Sequence, residues 1–223
     1  MALPGSKLAM KVQRLRFDFS KNEAMRFTGH LDLRLTWERT IRRSGLPLAY
    51  SEGYSPKPLF NFALPLPLGF ISRAEIGDFW FSETIDKVKA ITSIRNSLPP
   101  GLSLEKISLV TDLHGNKLPG LVDQVDYQVP LQNYSESLST KIEQLLETTD
   151  IIRIRRKKEY NLRPLIKDLQ SVPSKQDQHS VLKMTLTALP GATGRPDEVL
   201  SALNLDPLNY LICRTRIHLR NPE

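Results

Sequence analysis

Two polar residues stand at the head of an arginine-rich stretch: His30 and Asp32, in Gly29-His30-Leu31-Asp32. A histidine just ahead of a helix can act as general acid or base. In RNA cleavage it would activate the substrate's own 2′-hydroxyl without a metal. The plainer role is structural, with Asp32 capping the helix and His30 donating a hydrogen bond that fixes the turn. Downstream, Ser51-Glu52-Gly53-Tyr54-Ser55-Pro56-Lys57-Pro58 puts glycine, two serines and a lysine into one loop, the composition of an anion-binding turn. It lacks the glycine spacing of a Walker loop or a dinucleotide fingerprint, so ATP and NAD are not expected. Its plain reading is a loop joining a helix to a strand. His114, His179 and His218 are far apart and form no HxxxH or HxxE pair, so neither a metal nor a cofactor is expected.

The second chemistry is anion binding by cations. Arg34, Arg39, Arg42 and Arg43 crown one predicted helix. Arg153, Arg155, Arg156, Lys157 and Lys158 place five cations in six positions, which repel one another unless a partner or water screens them. Arg214 and Arg216, with His218 and Arg220, alternate along a predicted last strand as a stripe about 7 Å from side chain to side chain. Guanidinium groups grip phosphates in a bidentate manner, and Tyr54 and Tyr160 offer faces on which bases can stack. Lys57 and Arg163 extend the set. The charge is segregated as well. Residues 11–58 carry ten Lys/Arg against five Asp/Glu (+5), residues 71–150 seven against twelve (−5), and residues 151–170 seven against two (+5). Two basic segments flanking an acidic middle point to a polyanion, RNA in particular, if they fold onto one face. The alternative is arginines that keep a sheet face wetted. Glu38 is spaced to pair with Arg34 or Arg42.

These residues must be held by elements, and the periodicity supplies them. Leu15, Phe17 and Phe19 alternate as a strand, and Asp32 to Arg43 reads as a helix with Leu33, Trp37 and Ile41 inward, stopped by Ser44-Gly45. Strands follow at Leu59 to Leu64 and Ile76 to Ser82. A helix capped by Thr84 then turns Ile85, Val88, Ile91 and Ile94 inward, and a strand runs from Leu102 to Val110 with a bulge near Lys106. The second half repeats the order. Tyr127 to Leu131 is a strand with Pro130 arguing for an edge, and Ser135 to Glu147 is a helix. Strands at Ile152–Arg155 and Val181–Thr187, a helix after Pro196, and a strand from Cys213 to Arg220 complete it.

Two successive βαββαβ units predict an α+β protein of two tandem ferredoxin-like sandwiches with antiparallel sheets. The predicted division is an N-terminal extension or cloning remnant over 1–10, a first unit over 11–112, a linker over 113–122 and a second unit over 123–223. Lys157 to His179 reads as an irregular insertion. The lone Cys213 excludes an intramolecular disulfide and favours a cytoplasmic setting, and no apolar run approaches the roughly 20 residues a membrane helix needs.

At RFTGHLDL, RTIRRSGLPLAYSEGYSPKP and ALPLPLG the chain resembles a bacterial domain of unknown function found beside, or fused to the C-terminus of, cobalamin-type radical SAM proteins. The likeness runs from about Lys11 to the end, with a weaker echo at Tyr160-Asn161-Leu162-Arg163-Pro164-Leu165-Ile166. The fused members carry a CxxxCxxC cluster motif that is absent here, so a free-standing form or an excised domain is expected. The resemblance implies work beside a radical SAM protein on RNA, because the genes often sit near a ribosomal-RNA-processing ribonuclease. Three readings follow: a non-catalytic RNA-binding or substrate-presenting accessory, a metal-independent endoribonuclease using His30, or a protein-docking module without nucleic acid. Oligomeric state stays open at this level.

Overall fold

A computed structural model describes residues 10–115, 117–131, 136–155, 157–173 and 180–220. The chain divides into two compact units, Met1–Leu121 and Val122–Asn221. Both mix helices with antiparallel strands, so the protein is α+β.

The first unit runs β1 (Gln13–Lys21), α1 (His30–Arg43), β2 (Phe60–Phe62), β3 (Ile71–Phe81), α2 (Lys87–Ser97), β4 (Leu102–Val110) and a single turn, α3 (Leu118–Leu121). Its sheet order is β2-β3-β1-β4. The alternation in β1 turns Leu15, Phe17 and Phe19 inward, each fully buried, against Leu33, Trp37 and Ile41 of α1. Phe17 stacks on Phe79 at 4.4 Å, and Phe19 meets Trp37 edge-on at 4.8 Å. Each such pair adds about 0.5–1.5 kcal/mol beyond the area it buries. Gly77 faces Phe62 across β2 and β3, and a Cβ there would lie 2.9 Å from the rings of both Phe62 and Phe79. Only glycine lets the two aromatic residues close over the strand.

Two local expectations change, and a third, the bulge beside Lys106, is met. The N-cap of α1 is Gly29, with no side-chain cap. Asp32 lies inside the first turn, where its charge suits the positive end of the helix. Helix α2 starts at Lys87, capped by the Asp86 carboxylate, which accepts from Lys89 N at 2.9 Å; Thr84 is not the cap. That phase turns Ala90 and Ile94 inward and leaves Val88 72% exposed. In β4 the register slips between Lys106 and Leu104, so Glu105 is the bulged residue and Leu102, Leu104 and Ile107 all reach the core.

The second unit runs β5 (Val122–Leu131), α4 (Glu136–Glu147), β6 (Ile152–Arg155), β7 (Lys158–Asn161), β8 (Ile166–Pro173), β9 (Ser180–Leu189), β10 (Ala192–Thr193), α5 (Pro196–Ala202) and β11 (Cys213–Leu219). Its sheet order is β8-β9-β5-β11, with β10 hydrogen-bonded to the end of β9. Val125, Tyr127, Val129 and Leu131 of β5 face inward, as do Leu138, Ile142 and Leu145 of α4. Pro130 is paired only with β9, because β11 ends opposite Gln128. It therefore meets the local edge that a missing N–H requires.

The periodicity predicts Ile152–Arg155 as the second strand of this unit, with an irregular segment after it. Instead β6 pairs only with β7 in a separate two-stranded ribbon, and β8 takes the place in the sheet. The segment from Lys157 thus holds two strands, and its residues 174–179 lie outside the described ones. A bulge between Ile166 and Asp168 hid β8. It puts Ile166 and Leu169 on one buried face three positions apart, which erases the period of two.

Candidate nucleic-acid interface

The ribbon is built from cross-strand pairs. Arg153 faces Tyr160 and Arg155 faces Lys158, so these four side chains share one face; Ile152 with Asn161 and Ile154 with Glu159 share the other. The inner end of the basic face is anchored within the second unit. Arg153 Nε lies 3.8 Å from the Glu198 carboxylate in the first turn of α5. Burial, then the Glu198 and Asp197 carboxylates, push the Tyr160 hydroxyl above its ordinary pKa, and its oxygen has no hydrogen-bond partner among the described residues. Towards the turn, Arg155, Lys157 and Lys158 are exposed, and no ion pair among the described residues engages them. Lys157 sits at φ 65 in the tight connection between the strands. Arg156 lies outside the described residues. The other face leaves Ile152 50% and Ile154 76% exposed, so the alternation that resembled a core strand belongs to a wetted ribbon.

Other candidate residues are placed differently. Arg163 fastens the second unit: its Nε and Nη2 donate to Leu146 O at 3.0 and 2.8 Å, and its Nη1 donates to Ile166 O at 3.3 Å. It satisfies a carbonyl at the end of α4. The expected stripe on the last strand is not formed. A register shift sets Arg214 opposite Tyr127 and Arg216 opposite Asp126, neighbours on β5 that point to opposite faces. Arg214 is consequently fully buried, with its guanidinium 5.8 Å from the Tyr127 ring, while Arg216 is exposed. His218 Nε2 lies 2.9 Å from Asp126 Oδ1.

In the first unit Arg34 lies over the Phe60 ring at 4.3 Å and donates to Phe60 O at 3.2 Å. Arg42 pairs with Glu38 at 3.1 Å and donates to Tyr50 Oη, and Arg43 donates to Ser97 O at 2.8 Å. Arg39 is exposed. The loop after the helix is closed upon itself: Ser51 Oγ accepts from Lys57 N at 2.9 Å, and Ser51 N donates to Lys57 O at 2.8 Å. Two amides that an anion would use are thereby occupied or turned inward. Gly53 takes φ +114, and Ser55, Pro56 and Lys57 are exposed beside a fully exposed Tyr54.

His30 is half-buried, edge-on to Phe62 at 5.9 Å, and makes no hydrogen bond among the described residues. The turn is therefore not fixed by a bond from its ring. Burial first, and Arg34 second, lower its pKa, against a smaller opposing effect of Glu75, so it is neutral at neutral pH. The sequence reading also missed a cleft in the first unit lined by Phe60, Asn61 and Trp80 together with Lys11 and Lys117. Both aromatics read as ordinary strand residues, and no motif marked them.

Comparison with known proteins places residues 14–196 in a family described as uncharacterized protein conserved in bacteria (DUF2344). No curated protein matches the chain. Among solved structures, the acetolactate synthase small subunit from Thermotoga maritima is 14% identical over 95% of this chain and 98% of that one, with a TM-score of 0.27.

Proposed function

We propose that this chain, a member of the DUF2344 family of conserved bacterial proteins, is a non-catalytic RNA-binding and substrate-presenting accessory of a radical SAM enzyme, acting in RNA modification or processing in the cytoplasm. One observation carries the RNA reading: Arg155 and Lys158 sit side by side on the ribbon, next to Lys157, with no internal carboxylate paired to any of them among the described residues. Cations already held by carboxylates or carbonyls add little to polyanion binding, whereas free ones release counterions from the phosphates they meet. The order β2-β3-β1-β4, repeated as β8-β9-β5-β11 around its own helices, supports reading the two units as tandem ferredoxin-like sandwiches, scaffolds that leave such appendages exposed.

Docking on a protein partner is the second reading, and it is favoured by the first unit. Leu31 is 73% and Leu35 49% exposed one turn apart on α1, and Phe27 and Leu68 are exposed as well. The test is binding of the purified, nuclease-treated protein to short single-stranded RNA across a salt series. Steeply salt-dependent binding upholds the first reading. Absence of binding at low salt, with co-purification of a radical SAM partner after nuclease treatment, transfers the function to docking.

A further inference from the structure

We infer that the cleft beside Trp80 in the first unit is a nucleotide-binding site. None of the ribbon's residues lines it, so it stands or falls separately from the RNA reading above. The cleft has a volume of about 280 Å³, at the small end of ligand sites, which suits one nucleotide. Trp80 forms the aromatic wall, and a flat apolar wall suits the face of a base. Phe60 lines the floor from β2, its ring being stacked on Phe79 and covered by Arg34. Asn61, next on β2, lines the same cleft on the Trp80 face of the sheet, and its buried Oδ1 has no donor among the described residues. Such an acceptor is costly to leave unmet and is suited to the amino or ring N–H edge of a base.

The mouth is cationic. Lys11 and Lys117 line the cleft, and among the described residues no carboxylate does. Lys11 Nζ lies 5.7 Å over the indole, and the Arg14 guanidinium lies 4.8 Å from the same ring. Arg14 is already paired with Asp78, which leaves Lys11 and Lys117 as the groups that can meet a phosphate. The nearest acid along this segment is Asp112, whose Oδ1 accepts the backbone amides of His114 and Gly115 at 3.1 and 2.6 Å. The segment is also strapped to the wall, since Trp80 Nε1 donates to Leu113 O at 2.9 Å. Base, base edge and phosphate therefore each find a matching group within one cavity.

The indole is also the reporter. The chain has two tryptophans; Trp37 is fully buried in the core, so ligand-dependent emission reports Trp80. The full-length protein is titrated with AMP, GMP, CMP and UMP, with adenosine, with inorganic phosphate and with a short single-stranded oligoribonucleotide. A saturable emission change is expected with at least one mononucleotide or with the oligonucleotide. It should be weakened roughly tenfold by Lys11→Ala or Lys117→Ala, as for loss of a charged hydrogen bond, and be absent in Trp80→Phe. Adenosine and phosphate alone should bind more weakly than AMP. If the oligonucleotide responds and the mononucleotides do not, the nucleotide belongs to RNA; the reverse assigns a free nucleotide. No saturable change with any of these ligands overturns the site, as does a change that Lys11→Ala and Lys117→Ala both leave untouched. Lys117 is exposed, so its variant tests the site without endangering the fold.

Discussion

The Arg14 guanidinium and the Asp78 carboxylate meet at 2.6 Å with 2% and 0% of their side chains exposed. Arg16 binds the same carboxylate at 2.8 Å, so one acid on β3 holds two arginines of β1. Removing the acid would leave Arg14 charged and buried. Asp78→Ala is expected to cost about 3–5 kcal/mol, read as a lower midpoint in denaturant unfolding. A midpoint equal to that of the parent would show that the pair is not needed to hold the sheet.

The ribbon prediction separates binding cations from structural ones. Arg155→Ala and Lys158→Ala should each flatten the dependence of log affinity on log salt by about 0.7, the value for one phosphate contact on single-stranded RNA. Arg43→Ala, whose guanidinium is spent on Ser97 O, should leave that slope unchanged. Equal effects from all three variants would dismiss the ribbon as the contact element.

Arg163→Ala should act on stability instead. It frees Leu146 O and Ile166 O in the second unit, at a cost of about 1–2 kcal/mol, with RNA affinity unchanged. Lost affinity in a variant of undiminished stability would reassign Arg163 to the interface.

His30 predicts a pH effect of definite sign. Its folded pKa lies below the ordinary value of 6.5, so the unfolded chain takes up the proton first as pH falls. The parent protein should lose stability as pH drops through about 6.5 and below, and His30→Asn should reduce that loss. Thermal unfolding of both proteins over the acidic range decides it; parallel curves would refute the burial of a neutral ring. The same variant bears on catalysis. RNA incubated with the protein in EDTA should remain intact, and cleavage that disappears in His30→Ala would replace the non-catalytic reading.

The elements most legible in the sequence were those whose apolar residues all face one core. Leu15, Phe17 and Phe19 alternate without interruption, and so do Tyr127, Val129 and Leu131, and both runs are buried strands. The pattern misleads where a bulge intervenes, as between Ile166 and Asp168, or where a strand has its apolar face in water, as at Ile152 and Ile154. Period two reports the geometry of a strand and says nothing about what lies opposite it.

Cations show the same division. Composition and order along the chain were enough to establish two basic segments, the helix that carries Arg34 to Arg43, and the absence of a cysteine cluster. Which arginines are free to meet a ligand was decided only by folding. One slipped residue on β11 sends Arg214 into the interior and leaves Arg216 outside, and Arg163 is consumed by carbonyls that the chain brings to it from Leu146 and Ile166. A guanidinium's partners are set by distance in space, whereas sequence records only distance along the chain. The cleft at Trp80 follows the same physics, since Lys11, Phe60, Trp80 and Lys117 become neighbours only when β2, β3 and the segment after β4 close together.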